Sequence, residues 1–180
     1  MLGHGTVSIH AENIMPVIKQ WLYSDKDIFM REVVSNACDA ISKHRRLVAS
    51  GEAEKDENPY RIDVVVDKAA GTLTFTDNGI GMTADEVEKY IAQVAFSGAS
   101  DFIQKYAKDG ENEDTKIIGH FGLGFYSVFM VSKKVVIDTK SYTGAPAVRW
   151  TSEDGMSYDM EESDRTERGT SITLTINDAD

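Results

Sequence analysis

The sequence predicts an α+β fold: a two-layer sandwich of mostly antiparallel sheet with helices covering one face. Three observations predict it. Apolar residues recur at helical spacing over the first fifty positions, "YRIDVVVD" and "TLTFTD" flank the short turn "KAAG", and the last fifty positions hold four alternating segments separated by turns. Helices early, strands late and one apolar sheet face call for two layers around one core.

Taken in order, residues 1–8 are set aside as disordered or as a vector remnant, and the length of residues 9–180 favours one domain with a real core, or one large domain trimmed from something longer. "AENIMPVIKQWLYS" places Ile14, Val17, Ile18, Trp21 and Leu22 on one helical face. Ser24 with Asp27 then offers an N-cap for a long periodic helix through "IFMREVVSNACDAISKHRRLVA". A charged connection, "GEAEKDENP", leads into the hairpin at 60–77. Thr83 with Glu86 reads as a second capping box and opens the helix "ADEVEKYIAQVA". The polar and glycine-rich stretch that follows reads as a mobile cover. An apolar helix is expected from near Phe125, and "KKVVIDTKSY", "AVRWTS", "MSYDME" and "TSITLTI" complete the sheet.

Composition narrows the function. Nineteen Lys and Arg against thirty Asp and Glu leave a net charge of −11, which argues against a surface that grips nucleic acid by its phosphates. A phosphate ligand would have to be held locally, by backbone N–H groups or a metal. The one cysteine, Cys38, excludes an internal disulfide and fits a reducing compartment, with the cytoplasm as default. No apolar run reaches the length of a membrane span, and the start has no leader-like pattern, so neither secretion nor membrane anchoring is expected.

Four stretches carry possible chemistry. In "MREVVSNACDA", Glu32 and Asn36 lie one turn apart on one helix face, bordered by Asp39 and Ala40, with Lys43 further along. On an ordinary helix this is a solvated polar stripe, yet Asn is a poor mid-helix residue and a better helix former would serve a wet face. "TLTFTDNGIGMT" ends a strand on Asp77 and sets Gly79 and Gly81 two residues apart. A plain turn accounts for Asp-Asn-Gly. It does not require the second glycine or a carboxylate projecting from a buried strand end, where it could accept from an exocyclic amine while glycines admit a flat ring. "IIGHFGLGFYSVFMV" frees backbone N–H groups at Gly119, Gly122 and Gly124 before a helix, a possible phosphate cradle, or a glycine hinge packed on the sheet. It is neither a P-loop nor a dinucleotide fingerprint. "ERGTSITLTI" sets Gly169 and Thr170 at the head of a strand.

In this order and spacing the four stretches resemble the boxes of the Bergerat-type ATP-binding fold, shared by gyrase-type topoisomerases, MutL mismatch-repair proteins, sensor histidine kinases and the ninety-kilodalton heat-shock chaperones. "LYSDKDIFMREVVSNACDA", "DNGIGMT" and "GHFGLGFYSVFMV" are most similar to the chaperone family, and the likeness runs from about residue 9 to 176. The resemblance implies the N-terminal nucleotide-binding domain of a dimeric, ATP-driven chaperone that acts on unfolded or partly folded client proteins through a longer chain. It implies a cofactor set of ATP or ADP with Mg²⁺.

Residue by residue, the resemblance makes Glu32 the general base on the attacking water and Asn36 the protein ligand of Mg²⁺, with Asp39 and Ala40 beside the nucleotide. Asp77 would accept from the adenine amino group, aided by a water near Gly81 and Thr170, and Met82 would pack on the base. Tyr90 and Ile91 would lie near the nucleotide, while Gly119, His120, Phe121, Gly122, Leu123, Gly124 and Phe125 would wrap the terminal phosphates. Residues 96–120 would be a lid closing over the nucleotide. The chain departs from the family at Phe96, where a lysine is common, at Ala99 for a threonine, at Tyr90 for an asparagine or histidine, and at His120 for a glutamine. Two other readings share the fold: a nucleotide-gated binding module with negligible turnover, and a histidine-kinase catalytic domain, which "FGLGFYS" fits poorly.

Overall fold

A computed structural model describes residues 2–6, 28–93, 123–155 and 157–178. Seven antiparallel strands form one sheet: β1 (Gly3–Thr6), β2 (Ile62–Asp67), β3 (Thr72–Asp77), β4 (Ser132–Lys140), β5 (Val148–Ser152), β6 (Ser157–Glu162) and β7 (Gly169–Ile176). Their spatial order is β1-β6-β5-β4-β7-β3-β2. Helix α1 (Ile28–Ala49) packs on this sheet, joined by α2 (Ala84–Gln93) and a 3₁₀ helix (Leu123–Met130). This is the two-layer α+β arrangement that the periodicities imply.

The strands form where alternation is strongest. Val135, Ile137 and Thr139 of β4 face inward between exposed or half-buried neighbours, and Val148, Trp150 and Ser152 repeat the pattern in β5. The register aligns these inward residues into rows across the sheet. One row runs Phe75, Ile172, Ile137, Trp150, Met160, all apolar. The row beside it begins Asp77, Thr170, Thr139. A polar strip therefore lies directly next to the apolar floor, at the sheet end nearest the turn after β3.

Helix α1 closes over that floor. Phe29, Val33, Ala37, Ile41 and His44 are buried at spacings of four and three, with Ile28 buried beside Phe29, whereas Cys38 is exposed. The second capping box forms as expected: the Glu86 N–H donates to Thr83 Oγ1 at 3.3 Å, and the Thr83 N–H to Glu86 Oε2 at 3.1 Å. The core continues through Phe125, Val128 and Phe129 of the 3₁₀ helix, whose Phe125 and Phe129 rings meet Trp150 edge-on.

Two elements differ from the sequence expectation. Gly3–Thr6, within the 1–8 stretch set aside as disordered, forms the edge strand β1 against β6. Backbone pairing explains it: the Leu2 N–H donates to Met160 O at 2.9 Å, and Gly5 leaves room for the Tyr158 side chain, whose hydroxyl a Cβ would meet at 2.6 Å. The segment after Gly122 is a 3₁₀ helix, one that begins at Leu123. The predicted first helix, the Ser24 cap, Phe96, Ala99 and the proposed lid at 96–120 lie outside the described residues.

Candidate functional site

Between α1 and the sheet lies a cavity of about 230 Å³. Its floor is the apolar row Phe75, Ile172 and Ile137, and its wall from α1 is Val33, Asn36, Ala37, Asp39, Ala40 and Lys43. Ile80, Gly81 and Met82 of the turn after β3, with Tyr90, Phe125, Asp77 and Thr170, complete the lining. An apolar slot with few converging polar groups is the usual form of a small-molecule site.

Asp77 reaches the cavity by strand geometry. Alternation puts Leu73, Phe75 and Asp77 on one face of β3, so the last inward position of an apolar series carries a carboxylate. It is only 6% exposed. The Gly79 N–H donates to its Oδ1 at 2.8 Å. Burial pushes its pKa up to about 6, against the opposing pull of the Gly79 and Thr170 N–H groups and the Arg165 and Arg168 charges. At neutral pH Asp77 is a largely ionised acceptor facing an apolar slot. Asn78, the next residue, points the other way: its Oδ1 accepts the Arg61 N–H at 2.8 Å and its Nδ2 donates to Pro59 O at 2.9 Å, fastening the start of β2.

The glycines of this turn serve the chain's own packing. A Cβ on Gly79 would lie 2.5 Å from the Ala40 carbonyl carbon in α1. Gly81 has φ +65° and a Cβ there would lie 1.8 Å from Lys140 O. At Gly169, with φ +122°, a Cβ would lie 2.1 Å from Asp77 O. Beside the expectation that the glycines of this turn admit a flat ring stands a structural cause: Gly79 and Gly81 let the turn touch α1 and β4, and Gly169 lets β7 touch the end of β3. The Ile80 N–H donates to Ala40 O at 3.0 Å, which sets the distance between the Asp77 turn and the polar face of α1.

Thr170 sits opposite Asp77 in the register and its hydroxyl is 2.8 Å from that of Thr139. Thr139, fully buried, also accepts the Met82 N–H at 2.9 Å. It thereby fixes the stretch bearing Gly81 and Met82 to the strand bearing Thr170. Sequence reasoning passed over Thr139, although a threonine continuing the inward series Val135, Ile137 was the available signal. Lys43, placed on the polar face of α1 with Glu32 and Asn36 but given no role, also lines the cavity, and the arginines behind the turn were passed over.

Of the candidates named from sequence, Asn36, Asp39, Ala40, Asp77, Gly81, Met82, Tyr90, Phe125 and Thr170 line the cavity together. Glu32 stands one turn before Asn36, half-buried and outside that lining, with its pKa raised by burial against the lowering effect of Arg31. Its charge reaches the site nonetheless: the Tyr90 hydroxyl has its pKa raised by desolvation, then by Glu32 and Asp39. Ile91 lies in α2, and Leu123 and Gly124 open the 3₁₀ helix. Gly119, His120, Phe121 and Gly122 lie outside the described residues. Among the described residues no cluster of three or more His, Cys, Asp or Glu is placed to hold a metal, and no helix is long and apolar enough to cross a membrane.

A helix layer over an antiparallel sheet, with a buried acid and a threonine hydroxyl at the end of an apolar slot between them, defines a small-molecule-binding α+β domain. Residues 27–173 match the family described as histidine kinase-, DNA gyrase B-, and HSP90-like ATPase, and the chain belongs to that family. It is 47% identical over 179 residues to "Chaperone protein HtpG" of Porphyromonas gingivalis strain ATCC BAA-308 / W83, covering 99% of this chain and 26% of that protein. It is 50% identical over 175 residues to "Chaperone protein htpG" of Bacteroides fragilis strain 638R, covering 97% and 25%. Identity to "Chaperone protein HtpG" of Myxococcus xanthus strain DK1622 is 43% over 163 residues, covering 89% and 25%. The chain thus spans about a quarter of the length of these relatives.

Proposed function

We propose that the cavity binds adenine nucleotide and that the chain is the N-terminal ATP-binding and hydrolysing domain of a molecular chaperone. The observation that carries the reading is Asp77: a desolvated carboxylate at the end of an apolar slot, with Thr170 beside it and Asn36 on the facing helix. A flat base fits between Met82 and the Phe75, Ile172 and Ile137 floor, its exocyclic amine donating to Asp77. Guanine would turn a carbonyl oxygen toward the same carboxylate, acceptor against acceptor.

In this reading the phosphates extend along α1 past Asn36 toward Glu32. Asn36 suits Mg²⁺ because its side-chain oxygen is a hard, neutral ligand, and a nucleotide-bound Mg²⁺ takes most of its other ligands from phosphate and water. When bound, the ion would neutralise charge on the phosphate oxygens. Glu32, half-buried and raised in pKa, would orient and deprotonate the attacking water. The glycine-rich segment 119–125 would wrap the terminal phosphates and 96–120 would close as a lid, excluding water.

Nucleotide binding and hydrolysis would drive a protein-folding cycle in the cytoplasm, with client proteins held by the longer chain and a homodimer as the working unit. Nucleic acid and membranes have no place in it. The likeness to HtpG chaperones over nearly the whole chain supports this reading. Calorimetric titration with ADP and Mg²⁺ tests it: saturable binding near one per chain is expected, and the absence of binding would refute it.

A further inference from the structure

Behind the Asp77–Gly79 turn, on the side away from the cavity, the segment between β6 and β7 presents two guanidinium groups to three successive main-chain oxygens. Arg168 donates from Nη2 to Asn78 O at 2.9 Å and from Nε to Gly79 O at 3.0 Å. Arg165 donates from Nη2 to Asp77 O at 3.3 Å. Both side chains are themselves anchored. The Arg168 side chain, 15% exposed, reaches Asp56 Oδ2 at 3.3 Å, and Arg165 holds Ser171 Oγ at 2.6 Å and Glu167 O at 2.8 Å.

These are trans peptides, so each points its C=O and its N–H in opposite directions. Gripping the oxygen therefore aims the N–H. The peptide whose oxygen is Asn78 O carries the Gly79 N–H, which donates to the Asp77 carboxylate at 2.8 Å. The next peptide, whose oxygen is Gly79 O, carries the Ile80 N–H, which donates to Ala40 O in α1 at 3.0 Å. One planar fork thus holds from behind two peptides whose front edges hold the acid and the helix bearing Asn36. A lysine cannot span two oxygens in this way.

We propose that Arg168, supported by Arg165, is a positioning residue for the Asp77 acceptor, aiming the carboxylate into the cavity and fixing its register against α1. This rests on the reading of the cavity as an adenine site. Both cations also favour the ionised form of Asp77 through space. Other charged or titratable groups around Asp77 are Asp39 and Lys43 of α1 and Tyr90 of α2 on the cavity side, and Asp56, Arg61, Asp63 and Glu167 on the side of the arginines. His44 of α1, buried and lowered in pKa, feels Arg168 as well. A readout specific to Asp77 is therefore needed.

The test combines ADP calorimetry with a ¹³C-carboxyl NMR titration of Asp77 in Arg168→Gln, Arg168→Lys and Asp77→Asn. Arg168→Gln should weaken ADP about tenfold or more and move the Asp77 midpoint upward. Arg168→Lys should keep the midpoint near the unsubstituted one while still losing affinity, since charge returns without the fork. Unchanged ADP affinity in folded Arg168→Gln would overturn the proposal, whether or not the Asp77 midpoint moves. Should that variant not fold, full ADP affinity in Arg168→Lys would overturn it equally. The two levels separate cleanly: Asp77→Asn binding ADP normally would overturn the site itself, whereas loss in Asp77→Asn with retention in Arg168→Gln would overturn only the positioning role.

Discussion

Replacing Asp77 by Asn changes one atom and removes one charge, and its consequences for binding and for stability run in opposite directions. For binding, a charge-assisted acceptor in a desolvated site is lost, which costs about 1.5–3 kcal/mol, or roughly ten- to a hundredfold in ADP affinity. For the free protein, the acid is 6% exposed and its pKa is raised by burial from 3.8 to about 6. A carboxyl whose folded pKa lies above its unfolded value opposes folding once ionised, by on the order of 2–3 kcal/mol at neutral pH. Asn removes that cost but presents an amide nitrogen near the Gly79 and Thr170 N–H groups, so the net gain should be smaller, about 1 kcal/mol. Calorimetry with ADP and thermal unfolding without ligand measure the two effects. ADP affinity unchanged in the folded variant would refute the binding argument, and a large fall in the unfolding temperature would refute the claim that the buried charge opposes folding.

The same titration predicts a pH dependence: ADP affinity should fall as pH drops through about 6, while the Asp77 contribution to the stability of the free protein rises over that interval, as unfolding monitored against pH would register. Thr139→Val should leave the Met82 N–H without its acceptor and the Thr170 hydroxyl without its neighbour, lowering stability by about 1–3 kcal/mol in denaturant titration; no loss would remove Thr139 from the account. Gly81→Ala meets both a positive φ and the Lys140 oxygen, so a soluble variant with the parental unfolding temperature would contradict the packing described for that turn. In the whole protein, Glu32→Ala should keep ATP binding and slow turnover about a hundred- to ten-thousandfold, whereas Asn36→Ala should lose Mg²⁺-dependent binding as well. Parental turnover in Glu32→Ala would place the base elsewhere.

Local chemistry explains what was legible in the sequence. The hairpin at 60–77 is written in alternation and a glycine turn, the Thr83–Glu86 cap in two residues three apart, and Asp77 in a carboxylate ending an apolar strand. Features that depend on register were hidden. Thr139 matters because β4 lies beside β7 with Thr139 opposite Thr170, a pairing across thirty-one residues that no local pattern encodes. Arg165 and Arg168 acquire a role only when the turn after β3 is laid in front of them. The glycines at 79 and 81 were singled out as room for a flat ring and Gly169 only as the head of a strand, but the atoms that require them belong to Ala40, Lys140 and Asp77, each distant in sequence. Strand β1 has no apolar alternation of its own and exists through backbone pairing with β6.

The central claim is that this cavity distinguishes adenine through Asp77. Parallel calorimetric titrations with ADP and GDP, both with Mg²⁺, test it most directly. The account predicts saturable ADP binding near one per chain and GDP weaker by about tenfold or more, because a guanine oxygen would face the carboxylate. Equal affinity for the two nucleotides, or no binding of ADP, would contradict it.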